Sequence, residues 1–176
     1  RRLAQSRRPE EQDMIERIMP GAFANAIKND DIRALFNHDP NFVLGRKSAG
    51  TARVSEDADG LRYEIDPPAA RADVLEAVRR KDVTGSSFSF IPVKVTWREE
   101  TANGKTTYIR ELHDVQVFDV GPVTFPAYEA TSAQARSAGG LDNILAELEQ
   151  WKASRVVKPS AQEIAARVRV IDIDAV

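Results

Sequence analysis

The chain reads as a mainly β, α+β protein: a small closed or partly open β-barrel decorated by helices. Three observations point there. Apolar residues alternate with period two in short segments, as in Ala52/Val54 and Leu61/Tyr63/Ile65, the spacing that lines one face of a strand. Turn chemistry separates these segments, with Asp57-Ala58-Asp59-Gly60 and Asn103-Gly104 as hairpin turns. Only one internal stretch has clear helical periodicity, and the other helical patterns lie toward the C-terminus. Many short strands with few helices fit a decorated barrel better than a layered α/β fold.

Residues 1–10 are polar and read as a flexible lead or a remnant of an upstream strand. A short periodic stretch ends at Pro20-Gly21, and 20–27 reads as a brief helix with Pro in its first turn. The apolar runs 32–36 and 42–45 flank Asn37-His38-Asp39-Pro40-Asn41, a strong turn sequence. Residues 50–56 and 61–65 form a hairpin, which Pro67-Pro68 ends. The internal helix spans 69–81, with Ala70, Val74, Ala77 and Val78 at helical spacing. A long strand follows at 87–97, then the Asn103-Gly104 turn into 106–118. A further strand at 120–125 is closed by Pro126. Residues 128–136 and 141–152 read as helices, the second with Ile144, Leu145 and Leu148 on one face. A linker at 156–160 leads to a last helix at 161–167 and an alternating tail. The pair Gly139-Gly140 sets the expected boundary between a domain at 1–138 and a helical C-terminal extension and tail at 139–176.

Composition excludes several classes. The chain has 176 residues, enough to bury a core as one domain. It has no Cys, so disulfides, thiolate chemistry and cysteine zinc sites are ruled out. With two His and no HExxH spacing, a metal site would need several carboxylates to complete it, and no cofactor is expected. A net charge of −2 gives no reason to expect a nucleic-acid partner, and no apolar run is long enough to suggest a membrane span. The opening Arg1-Arg2-Leu3-Ala4-Gln5-Ser6-Arg7-Arg8 has no Met and no apolar stretch. It does not read as a secretory signal.

The residues that could carry chemistry are a histidine, a serine and an acid. His38 lies in the turn between two apolar runs, and alone it would read as a turn-capping surface residue. Ser87 follows Gly85-Ser86 on a strand whose Phe88 and Phe90 alternate onto a core face, so Ser87 and Ser89 share the opposite one. A hydroxyl held there on a rigid strand suits a nucleophile, given a base to take its proton. An acidic strand follows at 114–127, DVQVFDVGPVTFPA.

Five segments in order carry a family resemblance. They are Met19-Pro20-Gly21-Ala22-Phe23; Phe36-Asn37-His38 through Leu44-Gly45-Arg46; Gly50-Thr51-Ala52-Arg53-Val54; Gly85-Ser86-Ser87-Phe88-Ser89-Phe90; and 114–127. Together, over roughly residues 14–136, the chain resembles the prohead (capsid maturation) serine proteases of tailed phages. The resemblance implies a fold like the herpesvirus assemblins. It implies a serine endopeptidase that cleaves scaffold, or the scaffolding segment of the major capsid protein, and also itself. Its partners would then be capsid or scaffold protein and further copies of this chain, inside the assembling prohead in the host cytoplasm.

By motif, His38 would be the general base and Ser87 the nucleophile, with Ser89 the lesser alternative. The third member follows from the herpesvirus pattern, a residue seven positions before a glycine; counted from Gly121 this is Asp114. His113 and Asp119 are the alternatives. The family pattern places the oxyanion-hole N–H just after that glycine, where Pro122 has none, so the donor is expected from Gly121 or Val123. The pattern also sets a strand before Pro-Gly-Ala-Phe; that region is short and polar here, and the expectation is that this edge strand is missing or cut off.

Other features take plainer readings. Arg79-Arg80-Lys81 complements a helix C-terminus, Phe88, Phe90 and Trp97 are core, and the opening arginines are a solvated terminus. Two other functions remain open: a catalytically silent capsid-assembly or scaffold module of the same fold, and an unrelated β-barrel binding protein. Retention of His38, Ser87 and Asp114 together favours the enzyme.

Overall fold

The structure is a computed structural model that describes residues 13–126 and 140–155. The chain divides into two compact units, 1–140 and 141–176. The first is mainly β with short helices.

Its organising element is β7 (Lys105–Val123), a 19-residue strand. One edge of β7 pairs antiparallel along its whole length with β6 (Gly85–Ala102), joined through the expected Asn103-Gly104 turn. Both residues of that turn have positive φ, 53° and 74°, the geometry for which Asn-Gly is suited. The other edge of β7 takes two strands in succession. β1 (Asp13–Ile18) pairs parallel from Thr107 to Leu112, and β2 (Arg33–Leu35) pairs parallel at Asp119 and Val120. β3 (Val43–Arg46) then adds antiparallel to β2.

Between β1 and β2 the chain leaves the sheet at Pro20-Gly21, forms α1 (Ala24–Asn29) and returns. The ladder groups left open on β7 find other partners. The Val115 N–H donates to the Ala22 carbonyl at 3.2 Å, and the Val117 N–H donates to Asp30 Oδ2 at 2.8 Å. A buried backbone donor without a partner would cost of order 1–3 kcal/mol, so Asp30 substitutes for a missing strand. β1 is secured by an ion pair between Glu16 and Arg110 at 2.6 Å, both side chains over nine-tenths buried. A strand does therefore precede the Pro-Gly-Ala-Phe segment, contrary to the expectation. Its charged residues conceal it, because Glu16 Oε2 accepts from Arg110 Nη1 inside the protein rather than from solvent.

β4 (Ala52–Asp57) and β5 (Gly60–Ile65) form the expected hairpin. A 3₁₀ turn and α2 (Ala72–Arg79) follow, and α2 ends at the basic cluster. Two apolar clusters hold these elements. Phe23, Ala26 and Ile32 pack with Phe90, Leu112, Val115, Val117 and Val120, and Val54, Leu61, Tyr63 and Phe88 pack against them. Ala34, Leu44, Ala52 and Val74 form the second, with Phe36 and Ile65.

Among the described residues no closed barrel is found. The main sheet has five strands, and β4 and β5 pair as strands only with each other. The hairpin is attached by side chains rather than by a ladder, which is how alternating strands cover a core without closing a sheet. Two strands expected separately, 106–118 and 120–125, are one continuous β7.

At one point backbones approach too closely for any side chain. A Cβ on Gly121 would lie 1.8 Å from the Leu35 carbonyl oxygen of β2. Gly121→Ala is therefore expected to push β2 off β7 and to cost about 3 kcal/mol, read as a lowered urea midpoint. An unchanged midpoint would show that the approach is looser than drawn.

In the second unit the described element is α3 (Gly140–Arg155), with Asp142 in its first turn and Lys152 and Arg155 in its last, charges that oppose the helix dipole favourably. The helices expected at 128–136 and 161–167, the linker at 156–160, the tail and the flexible lead at 1–10 lie outside the described residues. Among the described residues no helix is long and apolar enough to cross a membrane.

Candidate active site

The histidine is placed by an unusual backbone. After Leu35 the chain turns sharply, with the Asp39 N–H donating to the Phe36 carbonyl at 3.0 Å and the Phe42 N–H to the Asp39 carbonyl at 2.9 Å. Asn37 and His38 both have positive φ, 55° and 58°. Asn and His are among the non-glycine residues most tolerant of that region, so Asn-His is a local sequence that can make this turn.

Asn37 also anchors it. Its N–H donates to the Pro122 carbonyl at 3.0 Å, its Oδ1 accepts from the Thr124 N–H at 2.7 Å, and its Nδ2 donates to Thr124 Oγ1 at 3.2 Å. Three bonds from one residue clamp the turn onto the end of β7. No local pattern shows this clamp, because it depends on Thr124, 87 positions away.

The clamp brings His38 over the β6–β7 ladder. His38 Nε2 lies 2.9 Å from Ser87 Oγ, and His38 Nδ1 lies 2.6 Å from Asp119 Oδ1. Ser87 stands opposite Gly121 and Ser89 opposite Asp119. Ser89 Oγ donates to the second oxygen of Asp119. Asp119 is 7% exposed, and these two bonds satisfy a carboxylate that would otherwise be costly to bury.

Protonation follows from the partners. An ionised carboxylate only accepts, so Asp119 selects the tautomer with the proton on His38 Nδ1. Nε2 is then the acceptor, and the Ser87 hydroxyl donates to it. A serine hydroxyl facing an unprotonated, oriented imidazole is the arrangement that nucleophilic catalysis needs.

His38 and Ser87 are thus brought together, although neither has the other within reach along the chain. Asp114 is not brought to them. It stands opposite Lys94, and its Oδ2 accepts from Asn25 Nδ2 at 2.9 Å. Five residues of strand, roughly 17 Å, separate it from Asp119, so the count from Gly121 selects a residue too far along β7. His113 is equally remote, with Nε2 2.7 Å from Thr96 Oγ1. Ser89 contacts Asp119 rather than the imidazole, which leaves Ser87 as the hydroxyl on His38. Pro122 takes part through its carbonyl, as the acceptor for Asn37.

Around Ser87 the neighbouring Ser86 Oγ lies 2.8 Å from the Tyr63 hydroxyl, linking the strand that bears Ser87 to the β4–β5 hairpin. Burial raises the Tyr63 pKa, so this phenol stays protonated at neutral pH. Among the described residues no group of three metal-ligating side chains could hold a metal ion.

Neither the curated proteins nor the solved structures contain a match to this chain. A family model does match, over residues 6–145, and its description is caudovirus prohead serine protease. The matched span includes all of β1 to β7 and with them the Ser87, His38 and Asp119 constellation. By that match, which covers well over half its length, the chain belongs to the prohead serine protease family of the tailed phages.

Proposed function

We propose that the protein is a serine endopeptidase of prohead maturation, with Ser87 as nucleophile, His38 as general base and Asp119 as the acid that orients it. The observation that carries this reading is the continuous chain of hydrogen bonds from Ser87 Oγ through both imidazole nitrogens to a buried carboxylate. It occurs in a member of a serine protease family.

The chemistry follows from that chain. Ser87 Oγ attacks the scissile carbonyl while its proton passes to His38 Nε2. The tetrahedral adduct collapses as the C–N bond breaks, and His38 returns the proton to the leaving amine. Water then repeats the sequence on the acyl-enzyme, its proton going to His38 and on to Ser87 as the carboxylic acid leaves. Asp119 stays ionised throughout, stabilising the imidazolium.

The catalytic domain is assigned to 1–138, with 139–176 as an extension. The substrates are the scaffold protein, or the scaffolding segment of the major capsid protein, and the protease itself, within the assembling prohead in the host cytoplasm. Incubation of the purified chain with the cognate capsid or scaffold protein, followed by intact mass, tests this. Discrete new masses that vanish with Ser87→Ala are expected. Unchanged substrate masses would favour a silent assembly module of the same fold.

A further inference from the structure

A cleft of about 720 Å³ opens beside Ser87, a size in the range of ligand-binding sites. It lies between the turn at Met19 and Pro20, the tip of the β4–β5 hairpin and the start of β6. Two kinds of surface line it. Ile18, Phe23, Leu61 and Phe88 supply apolar wall. Glu56, Asp57 and Asp59 supply carboxylates at the hairpin tip, and no Lys or Arg is among the lining residues.

Two of these carboxylates, Glu56 and Asp57, are held in place. Glu56 Oε1 accepts from the Gly21 N–H at 2.7 Å, a bond that ties the hairpin to the opposite wall of the cleft. Asp57 Oδ1 accepts from the N–H groups of Asp59 at 2.9 Å and Gly60 at 3.1 Å. Neutral N–H donors orient a carboxylate without cancelling its charge. The cleft therefore joins an apolar wall and a fixed negative edge to the hydroxyl that faces His38.

Resting on the protease reading, we propose that this cleft is a substrate subsite that takes a lysine or arginine side chain of the polypeptide being cut. Such a side chain has an apolar stem and a cationic end, which match the wall and the carboxylate edge in that order. A norleucine would fill the wall and leave the edge unanswered. A glutamate would meet repulsion. The cleft thus selects basic segments of the scaffold or capsid protein and directs their neighbouring peptide bonds to Ser87.

The test uses alanine-serine decapeptides that differ at one guest position, Lys, Arg, norleucine or Glu. Binding to the Ser87→Ala protein is read by fluorescence anisotropy, and cleavage by the unmodified protein is read by mass spectrometry. Lys and Arg guests are expected to bind roughly tenfold more tightly than norleucine, as for a partly screened charge pair, and Glu guests more weakly still. The gap should narrow in Glu56→Gln/Asp59→Asn, in which Gln can still accept from Gly21, and at raised salt. Asp59→Asn alone leaves both Asp57 bonds and the Glu56–Gly21 bond in place. It should narrow the gap in part, which keeps the test sound if the double variant melts early. Equal binding of Lys and norleucine guests would overturn the proposal, as would a preference unchanged in both variants. Cleavage without a cation preference removes the subsite and leaves the protease. A cation preference in binding, with no peptide and no capsid protein cut, removes the protease and leaves a cation-binding cleft.

Discussion

Ser87→Ala is expected to reduce peptide cleavage by a factor on the order of 10⁴ or more while the protein stays folded. The lost oxygen is half-buried and bonds His38 alone among the side-chain contacts described, so the stability change should stay within about 1 kcal/mol. His38→Ala should lose as much activity, and the double variant little more, because the hydroxyl and the imidazole act as one unit. Its stability should fall somewhat further, since alanine tolerates the positive φ at position 38 less well than histidine. Cleavage of one capsid-derived substrate, measured beside thermal melting for each variant, checks the pair. Normal cleavage by the Ser87→Ala protein would defeat the mechanism.

The second large effect separates two aspartates. Asp119→Asn is expected to cost about 10² to 10⁴ in cleavage rate, because an amide can present its NH₂ to Nδ1 and turn the imidazole to the wrong tautomer. Asp114→Asn should stay within about twofold. Asn25 can still donate to the amide oxygen at position 114, and nothing there touches His38. Matched kinetics on the two purified variants decide it. A severe loss in Asp114→Asn with a mild one in Asp119→Asn would reverse the assignment of the acid.

The reason Asp119 is hard to select beforehand lies in the β6–β7 register. Counting outward from the hairpin, Ala102 pairs with Lys105, and an unbroken ladder would set Ser89 opposite Phe118. The actual partner is Asp119, because the register shifts by one residue between Ser89 and Phe90; an earlier irregularity at Lys94 is undone by Pro92. A one-residue change of register exchanges the faces a strand presents. No local pattern announces these bulges; they are settled by which residues the core accepts, Val117 and Val120 both being buried in one cluster.

What the sequence determined by itself was of two kinds. Periodicity and turn residues specified the mainly β character, the hairpin within 50–65, the Asn103-Gly104 turn and a helix within 69–81, since each depends on neighbours in the chain. The ordered motifs specified the family. Tertiary structure alone decided the rest. β1 lies against β7 with its Glu16 paired to Arg110, the sheet stayed open because β4–β5 joins the core by side chains, and Asp119 came to His38 through a register shift in the β6–β7 ladder. Each of these depends on groups distant in sequence, whose meeting no local spacing encodes.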